Sequence, residues 1–276
     1  MKKFRKYLVM LAGLLALVSL AACGSTSSSS DSTTTEKITV DNVEGSLKGV
    51  SLKIGTSGLF APYSYYDQDG KTLIGYDLDL VTELQNLLGF DIADDKIEAM
   101  PYASLITSIT SNKLDLIAAG LSKTSEREKI MSFSTPYQEA ASVVMVNKDD
   151  TKGITGPEDL DGKTIAVEKG TISHIYATEK VKDAKVEDYD TITAACVALE
   201  QGKVDAVLYE GPPAKYYLKS TPDTKLEIVG DEFDKGSSIY ALGLQKDSPY
   251  KDNFDAALEV LTENGTMDKL NDKWLN

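Results

Sequence analysis

Two stretches of this chain repeat one pattern, and that repetition limits the folds open to it. Ser111-Asn112-Lys113-Leu114-Asp115-Leu116-Ile117-Ala118 and Gln201-Gly202-Lys203-Val204-Asp205-Ala206-Val207-Leu208 each follow an amphipathic helix, turn at Asn or Gly, and enter an apolar strand. The upstream strands match as well. Ser51–Thr56 (SLKIGT) parallels Lys163–Val167 (KTIAV), and small-residue turns follow at Ser57-Gly58 and Gly170-Thr171. Strands alternating with helices build parallel βαβ units, so two units arranged alike predict an α/β fold of two lobes. Between Gly75 and Gly89, the residues Leu80, Val81, Leu84, Leu87 and Leu88 make one apolar helical stripe, with Gly89 as its stop. Strand-like runs at 139–148 and 237–245 bracket the second lobe, and helices at 253–263 and 267–275 end the chain. The C-terminus thus returns to the first lobe, which gives two crossovers and a hinge.

The N-terminus predicts an address. Lys2, Lys3, Arg5 and Lys6 form a basic region and Leu8 to Leu20 an apolar one, too short for a comfortable membrane span. Leu20-Ala21-Ala22-Cys23 resembles the bacterial lipobox, where the signal is cut before a cysteine that is then diacylated. Residues 1–22 are therefore expected to be a lipoprotein signal peptide, Cys23 the lipid-bearing residue, and residues 23–44 a Ser/Thr-rich tether. The expected location is the extracytoplasmic face of the cell membrane, held through the lipid alone. The second of the two cysteines, Cys196, lies in an apolar helical run and reads as core, so no intrachain disulfide is available.

Composition narrows the partners. The net charge of −14 becomes more negative by four once the signal cations are removed. Such an exterior argues against nucleic acid or an anionic membrane surface as partner. One histidine, His174, excludes a multi-histidine metal site and leaves one candidate triad base. No metal or cofactor is implied; Asp67-Gln68-Asp69-Gly70 reads as a hairpin turn rather than a calcium loop, although an Asp/Glu-only calcium site stays open.

Ligands of open parallel sheets bind beyond the carboxyl ends of the strands, where helix N-termini point. Ser57, Gly120, Ser122, Gly170, Thr171 and Glu210 all fall there. Nearby, Ser125-x-x-Glu128 reads as a capping box opening a helix, which puts Arg127 in a first turn whose dipole disfavours a cation. A fixed guanidinium there suits a ligand carboxylate gripped bidentately. The alternative is a surface arginine paired with Glu126 or Glu128.

From about residue 45 onward the chain resembles the extracellular solute-binding proteins of ABC-type polar amino-acid importers, solute-binding protein family 3. The resemblance rests on Gly75-Tyr76-Asp77-Leu78-Asp79-Leu80, Gly120-Leu121-Ser122-x-Thr124-x-x-Arg127, Phe133-Ser134-x-Pro136-Tyr137, Asp159-Leu160-x-Gly162-Lys163, Glu168-Lys169-Gly170-Thr171, Asn264-Gly265-Thr266 and Lys273-Trp274. Gln85 departs from a usually small position, and Ser57 from a frequent acid. The resemblance implies a two-lobed, type II periplasmic-binding-protein-like α/β fold with a ligand cleft between the lobes. Residues 45–138 and 239–276 would form lobe 1, and residues 139–238 lobe 2.

It also implies site roles. Arg127 would clamp an L-amino acid's α-carboxylate, helped by the Ser122 and Thr171 N–H groups. The Gly120 carbonyl, Ser122 hydroxyl and Glu210 would hold the α-ammonium, and Phe60 and Tyr102 would press on the side chain. Selectivity would then fall to Ser57, Phe60, Tyr102 and Glu168. Ser57 weakens the case for a cationic ligand and Glu168 restores one negative charge. The expected ligand is a polar, uncharged or cationic amino acid, leaning to a glutamine- or cystine-like side chain, with acidic ones rejected. The implied partners are a permease and its ATPase. The chain is expected to be a binder rather than an enzyme; a stand-alone sensor or adhesin, or a dehydratase-like enzyme on this fold, are the other readings.

Overall fold

A computed structural model describes residues 37–275. The expected signal peptide, Cys23 and the part of the expected 23–44 tether up to residue 36 lie outside the described residues. Strand β1 (Ser51–Thr56) leads into a small three-stranded sheet of β2 (Leu59–Phe60), β3 (Ser64–Tyr66) and β4 (Leu73–Ile74). Then come helix α1 (Tyr76–Leu88), β5 (Asp91–Ala99), α2 (Tyr102–Thr110), β6 (Leu116–Ile117), α3 (Ser125–Glu128) and β7 (Ser132–Phe133). The long strand β8 (Gln138–Asn147) opens a second set: β9 (Thr164–Glu168), α4 (Ile172–Glu179), β10 (Lys185–Tyr189), α5 (Ile192–Glu200), β11 (Ala206–Glu210) and α6 (Gly211–Ser220). After β12 (Leu226–Tyr240) and β13 (Gly243–Leu244), helices α7 (Lys251–Glu263) and α8 (Thr266–Trp274) complete the chain.

The repeat in the sequence is a repeat in space. One sheet has the order β5-β1-β6-β13-β7 and the other β10-β9-β11-β8-β12. In each, the first strand of a unit is flanked by its second and third in parallel, and the remaining pairings are antiparallel. The two repeated aspartates do the same work in both sheets. The Asp115 N–H donates to the Lys53 carbonyl at 2.8 Å while its carboxylate accepts the Lys53 N–H at 2.9 Å. Asp205 does likewise with Thr164, both at 2.8 Å. Each carboxylate accepts the N–H of the residue whose carbonyl its own N–H binds, so the start of each parallel pair is closed by two hydrogen bonds.

The apolar stripe of α1 is buried through Leu80, Val81, Leu84 and Leu88, and Gly89 stops the helix in the left-handed region with its N–H on the Gln85 carbonyl. Gln85 uses its longer side chain to donate to the Phe90 carbonyl. Val43 and Leu47 join this core from ahead of β1. A separate core, with Val144, Ile165, Val167 and Leu208, lies under the second sheet. Cys196 is fully buried, and burial pushes its thiol up to about 12, so it is packing rather than chemistry. The 67–70 segment forms the expected turn between β3 and β4, closed by the Asp67 N–H on the Thr72 carbonyl. The two crossovers lie side by side, with Gln138, Glu139 and Ala140 paired antiparallel to Tyr240, Ile239 and Ser238. Among the described residues no helix is long and apolar enough to cross a membrane, and no group of His, Cys, Asp and Glu is placed to hold a metal.

Candidate functional site

Arg127 is buried, with 6% of its surface exposed. The flanking acids bond elsewhere: Glu126 with Lys129 at 2.6 Å and Glu128 with Lys123 at 3.1 Å. The surface-pair alternative is therefore excluded. The helix carrying Arg127 is capped one residue earlier than the sequence suggested. Thr124, in extended backbone, is the N-cap and accepts the Arg127 N–H at 3.2 Å, whereas Ser125 is already helical. The guanidinium donates to the Ser122 carbonyl of the first lobe and the Gly170 carbonyl of the second, each at 2.6 Å. Burial lowers its pKa, while Tyr102 and Glu210 oppose that shift.

Two carboxyls lie at the ends of neighbouring parallel strands, and one of them, Glu210, acts on the Arg127 charge. Glu168 and Glu210 are each 3% exposed. Burial pushes Glu168 up to about 8; the Glu210 charge adds to this and the Ile192 N–H at the start of α5 opposes it. Burial also pushes Glu210 up to about 7, against its own backbone N–H and the Arg127 charge. Glu210 Oε2 has no hydrogen-bond partner among the described residues. Thr171 caps α4, its hydroxyl donating to the Glu168 carbonyl at 2.8 Å and accepting the His174 N–H at 3.3 Å. The Thr171 N–H also bends back to the Glu168 carbonyl, at 3.4 Å. His174 accepts the Gly170 N–H on Nδ1 and places Nε2 3.2 Å from Asp188, so both ring nitrogens are engaged.

Phe60, 1% exposed, sits among tyrosines from both lobes. It stacks on Tyr63 with centroids 5.3 Å apart, and meets Tyr102, Tyr209 and Tyr240 edge-on at 5.6, 5.9 and 6.1 Å. Phe60 and Tyr102, expected as opposite walls, touch each other here; a side chain placed between them has to part the rings. The Tyr102 hydroxyl donates to the Ala119 carbonyl. Gly120 holds φ +56, and a Cβ there would overlap the Phe60 ring. Ser57 is buried at the end of β1 and its hydroxyl accepts the Leu59 N–H at 3.3 Å. At the rim, Tyr65 of β3 contacts Tyr216 of α6 at 5.4 Å and Trp274 of α8 at 6.3 Å. The Trp274 Nε1 in turn donates to Asp79.

One residue of this neighbourhood was not assigned from sequence. Asp77 is fully buried and accepts the Gly120 N–H at 2.5 Å and the Tyr137 hydroxyl at 2.7 Å. Burial pushes it up to about 7, with both hydrogen bonds opposing. It ties the Gly120 loop to the start of the β8 crossover. Its sequence signals were its place in the Gly75–Leu80 motif and an acid on an otherwise apolar helix face, neither of which named its partners.

Two α/β lobes joined by paired crossovers, with one buried cation and buried acids where they meet, define a two-lobed solute-binding protein. The chain belongs to the bacterial extracellular solute-binding proteins, family 3, whose model matches residues 52–276. It is 30% identical over 272 residues to the arginine-binding extracellular protein ArtP of Bacillus subtilis, covering 98% of each chain. It is 29% identical to the L-cystine-binding protein TcyA of the same organism, over 98% of this chain and 97% of that one. Among solved structures, an ancestral arginine-binding protein bound to arginine matches with TM-score 0.76 and 32% identity, over 83% of this chain and 100% of that one.

Proposed function

We propose that the chain is the substrate-binding subunit of an ABC-type amino-acid importer. In this reading it is tethered by a diacylated Cys23, captures a polar, non-acidic L-amino acid between its lobes, and delivers it to a permease with its ATPase. Lobe 1 comprises residues 45–138 and 239–276 and lobe 2 residues 139–238, a division supported by the membership of the two sheets. Arg127 takes the α-carboxylate, beside the Ser122 and Thr171 N–H groups. The Gly120 carbonyl, the Ser122 hydroxyl and Glu210 take the α-ammonium. Phe60 and Tyr102 wall the side chain, and Ser57 and Glu168 complete the pocket.

The observation that carries this reading is the buried guanidinium of Arg127 beside a buried carboxylate, Glu210, with one oxygen unpaired. A zwitterion satisfies both charges at once, and a dry cleft strengthens each interaction. The relatives named for arginine and cystine binding support an amino-acid ligand. His174, bonded at both nitrogens, leaves no free general base of its kind, which supports binding over catalysis. Thermal-shift screening against the common L-amino acids tests the reading: a selective rise is expected by mass action, and no rise with any of them refutes it. Uptake of the selected amino acid by cells should require both this chain and the permease.

A further inference from the structure

The turn that enters α4 is held at two points by one residue, His174. Thr171 is the N-cap, and its hydroxyl accepts the His174 N–H at 3.3 Å. In an ordinary capping box the side chain three residues on, Glu or Gln, reaches back to the N-cap N–H. Here that position is His174, and its Nδ1 passes over Thr171 to accept the Gly170 N–H at 3.3 Å. The Thr171 N–H is left with a long 3.4 Å contact to the Glu168 carbonyl, which keeps it available to a ligand. The Gly170 carbonyl accepts the Arg127 guanidinium at 2.6 Å. We infer that His174 is a positioning residue for ligand binding: its neutral imidazole holds the Gly170–Thr171 turn in the shape that receives the ligand carboxylate, and a proton on Nδ1 releases that turn. This rests on the amino-acid reading of the cleft, in which Arg127 and the Thr171 N–H share the carboxylate.

An N–H bonds only to a lone pair, so the Gly170 contact needs Nδ1 bare and puts the ring proton on Nε2, 3.2 Å from Asp188. Protonation makes both ring nitrogens donors. The imidazolium keeps and strengthens its bond to Asp188, but it sets an N–H against the Gly170 N–H. The turn then loses its anchor, and with it the alignment of the Gly170 carbonyl on Arg127 and of the Thr171 N–H on the cleft. The elements packed on α4 are β9, β10 and β11. From β10, Asp188 faces the ring, while Glu187 and Tyr189 alternate to the other side of the strand, where Glu187 bonds Lys185 at 2.6 Å. Strand β9 ends in Glu168 and β11 in Tyr209 and Glu210, all buried, and the Lys169 that follows β9 is exposed. From α3, Arg127 reaches the turn through the Gly170 carbonyl, and on α4 itself Tyr176 packs on Phe233. Of these groups, Asp188 is the one at bonding distance of the ring.

His174 is the only histidine in the chain, so nitrogen NMR of the full chain reads its ring directly. The probe is whichever of the common L-amino acids and L-cystine gives the largest thermal shift. With the probe bound at pH 7.5 the ring should be neutral with its proton on Nε2. Saturation should move ring protonation to lower pH, because coupled equilibria are reciprocal. By calorimetry at pH 7.5, His174→Leu should bind the probe about tenfold more weakly. His174→Asn, whose Oδ1 can accept the Gly170 N–H and takes up no proton, should restore binding to within about threefold. Between pH 7.5 and pH 5.5 the unaltered protein should lose at least about threefold more affinity than His174→Asn. The cleft acids titrate in both proteins and cancel in that comparison. A proton on Nδ1, ring protonation that the probe leaves unmoved, or equal pH dependence in the two proteins overturns the inference and leaves amino-acid binding intact. Should the variants not fold, the ring signals of the unaltered protein decide alone. Failure of every amino acid to bind overturns the underlying reading instead.

Discussion

Arg127 and Gly170, one in each lobe, meet through a 2.6 Å hydrogen bond from the guanidinium to the backbone carbonyl. The same guanidinium holds the Ser122 carbonyl of its own lobe. The residue proposed to clamp the ligand is thus also a fastener across the cleft. Under that proposal, binding and closure are joined in one side chain.

Arg127→Ala should lower affinity for the bound amino acid by about 30- to 4,000-fold, because a desolvated carboxylate loses its partner. It also deletes the contact to Gly170, so the apo protein should be more open. Calorimetry and small-angle scattering check the two effects separately; near-unaltered binding by a folded variant refutes the clamp.

Gly120→Ala should be among the most damaging single-methyl changes. The new Cβ overlaps Phe60, which is held by four tyrosines, and the backbone stays at φ +56. A loss of about 2–4 kcal/mol is expected from overpacking and left-handed strain. Urea unfolding measures it, and unchanged stability would show that the ring gives way freely.

The three buried acids set a pH dependence with a definite sign. Asp77 and Glu210 are pushed up to about 7 and Glu168 to about 8, so the folded protein holds protons that the unfolded chain releases near pH 4. Their contribution is therefore fully present in acid and is lost as pH rises from about 4 to about 8. The unfolding midpoint of the ligand-free protein should be higher at pH 5 than at pH 8. A saturating amino acid should shrink that difference, because it supplies positive charge to the deprotonated site. Scanning calorimetry at the two pH values reads both effects.

Closure should be visible from within. Trp274 is the only tryptophan in the chain, and it packs on Tyr65, which in turn meets Tyr216 of the other lobe. Ligand binding should shift its fluorescence, and Tyr216→Ala should remove most of that shift. A full shift in the variant would separate the rim contact from closure.

Cys23→Ala should abolish lipid attachment and leave the chain either released or as an uncleaved precursor. Fractionation with labelled palmitate checks this; unchanged membrane retention and processing counts against the anchor.

What was legible in the sequence was what depends on near neighbours and on periodicity. The paired strands around Asp115 and Asp205 follow from one repeated pattern, and the α1 stripe from helical spacing alone. The cap of α3 was misplaced by one residue, since Thr124 and Ser125 are both competent and the backbone entering the turn decides between them. Asp77 escaped assignment because its partners lie 43 and 60 residues away, at Gly120 and Tyr137. The packing of Phe60 on Tyr209 and Tyr240 was equally hidden, as those rings arrive from the second lobe and the returning crossover.

The place of β13 in the first sheet makes that lobe depend on both ends of the chain. It lies between β6 and β7, yet it is the last strand to leave the ribosome. All the strands of the second sheet lie between residues 138 and 240, so that lobe is complete before residue 243 is made. Domains assemble as units as their chain becomes available. The first sheet therefore cannot join β6 to β7 until β13, from near the end of the chain, takes its place between them.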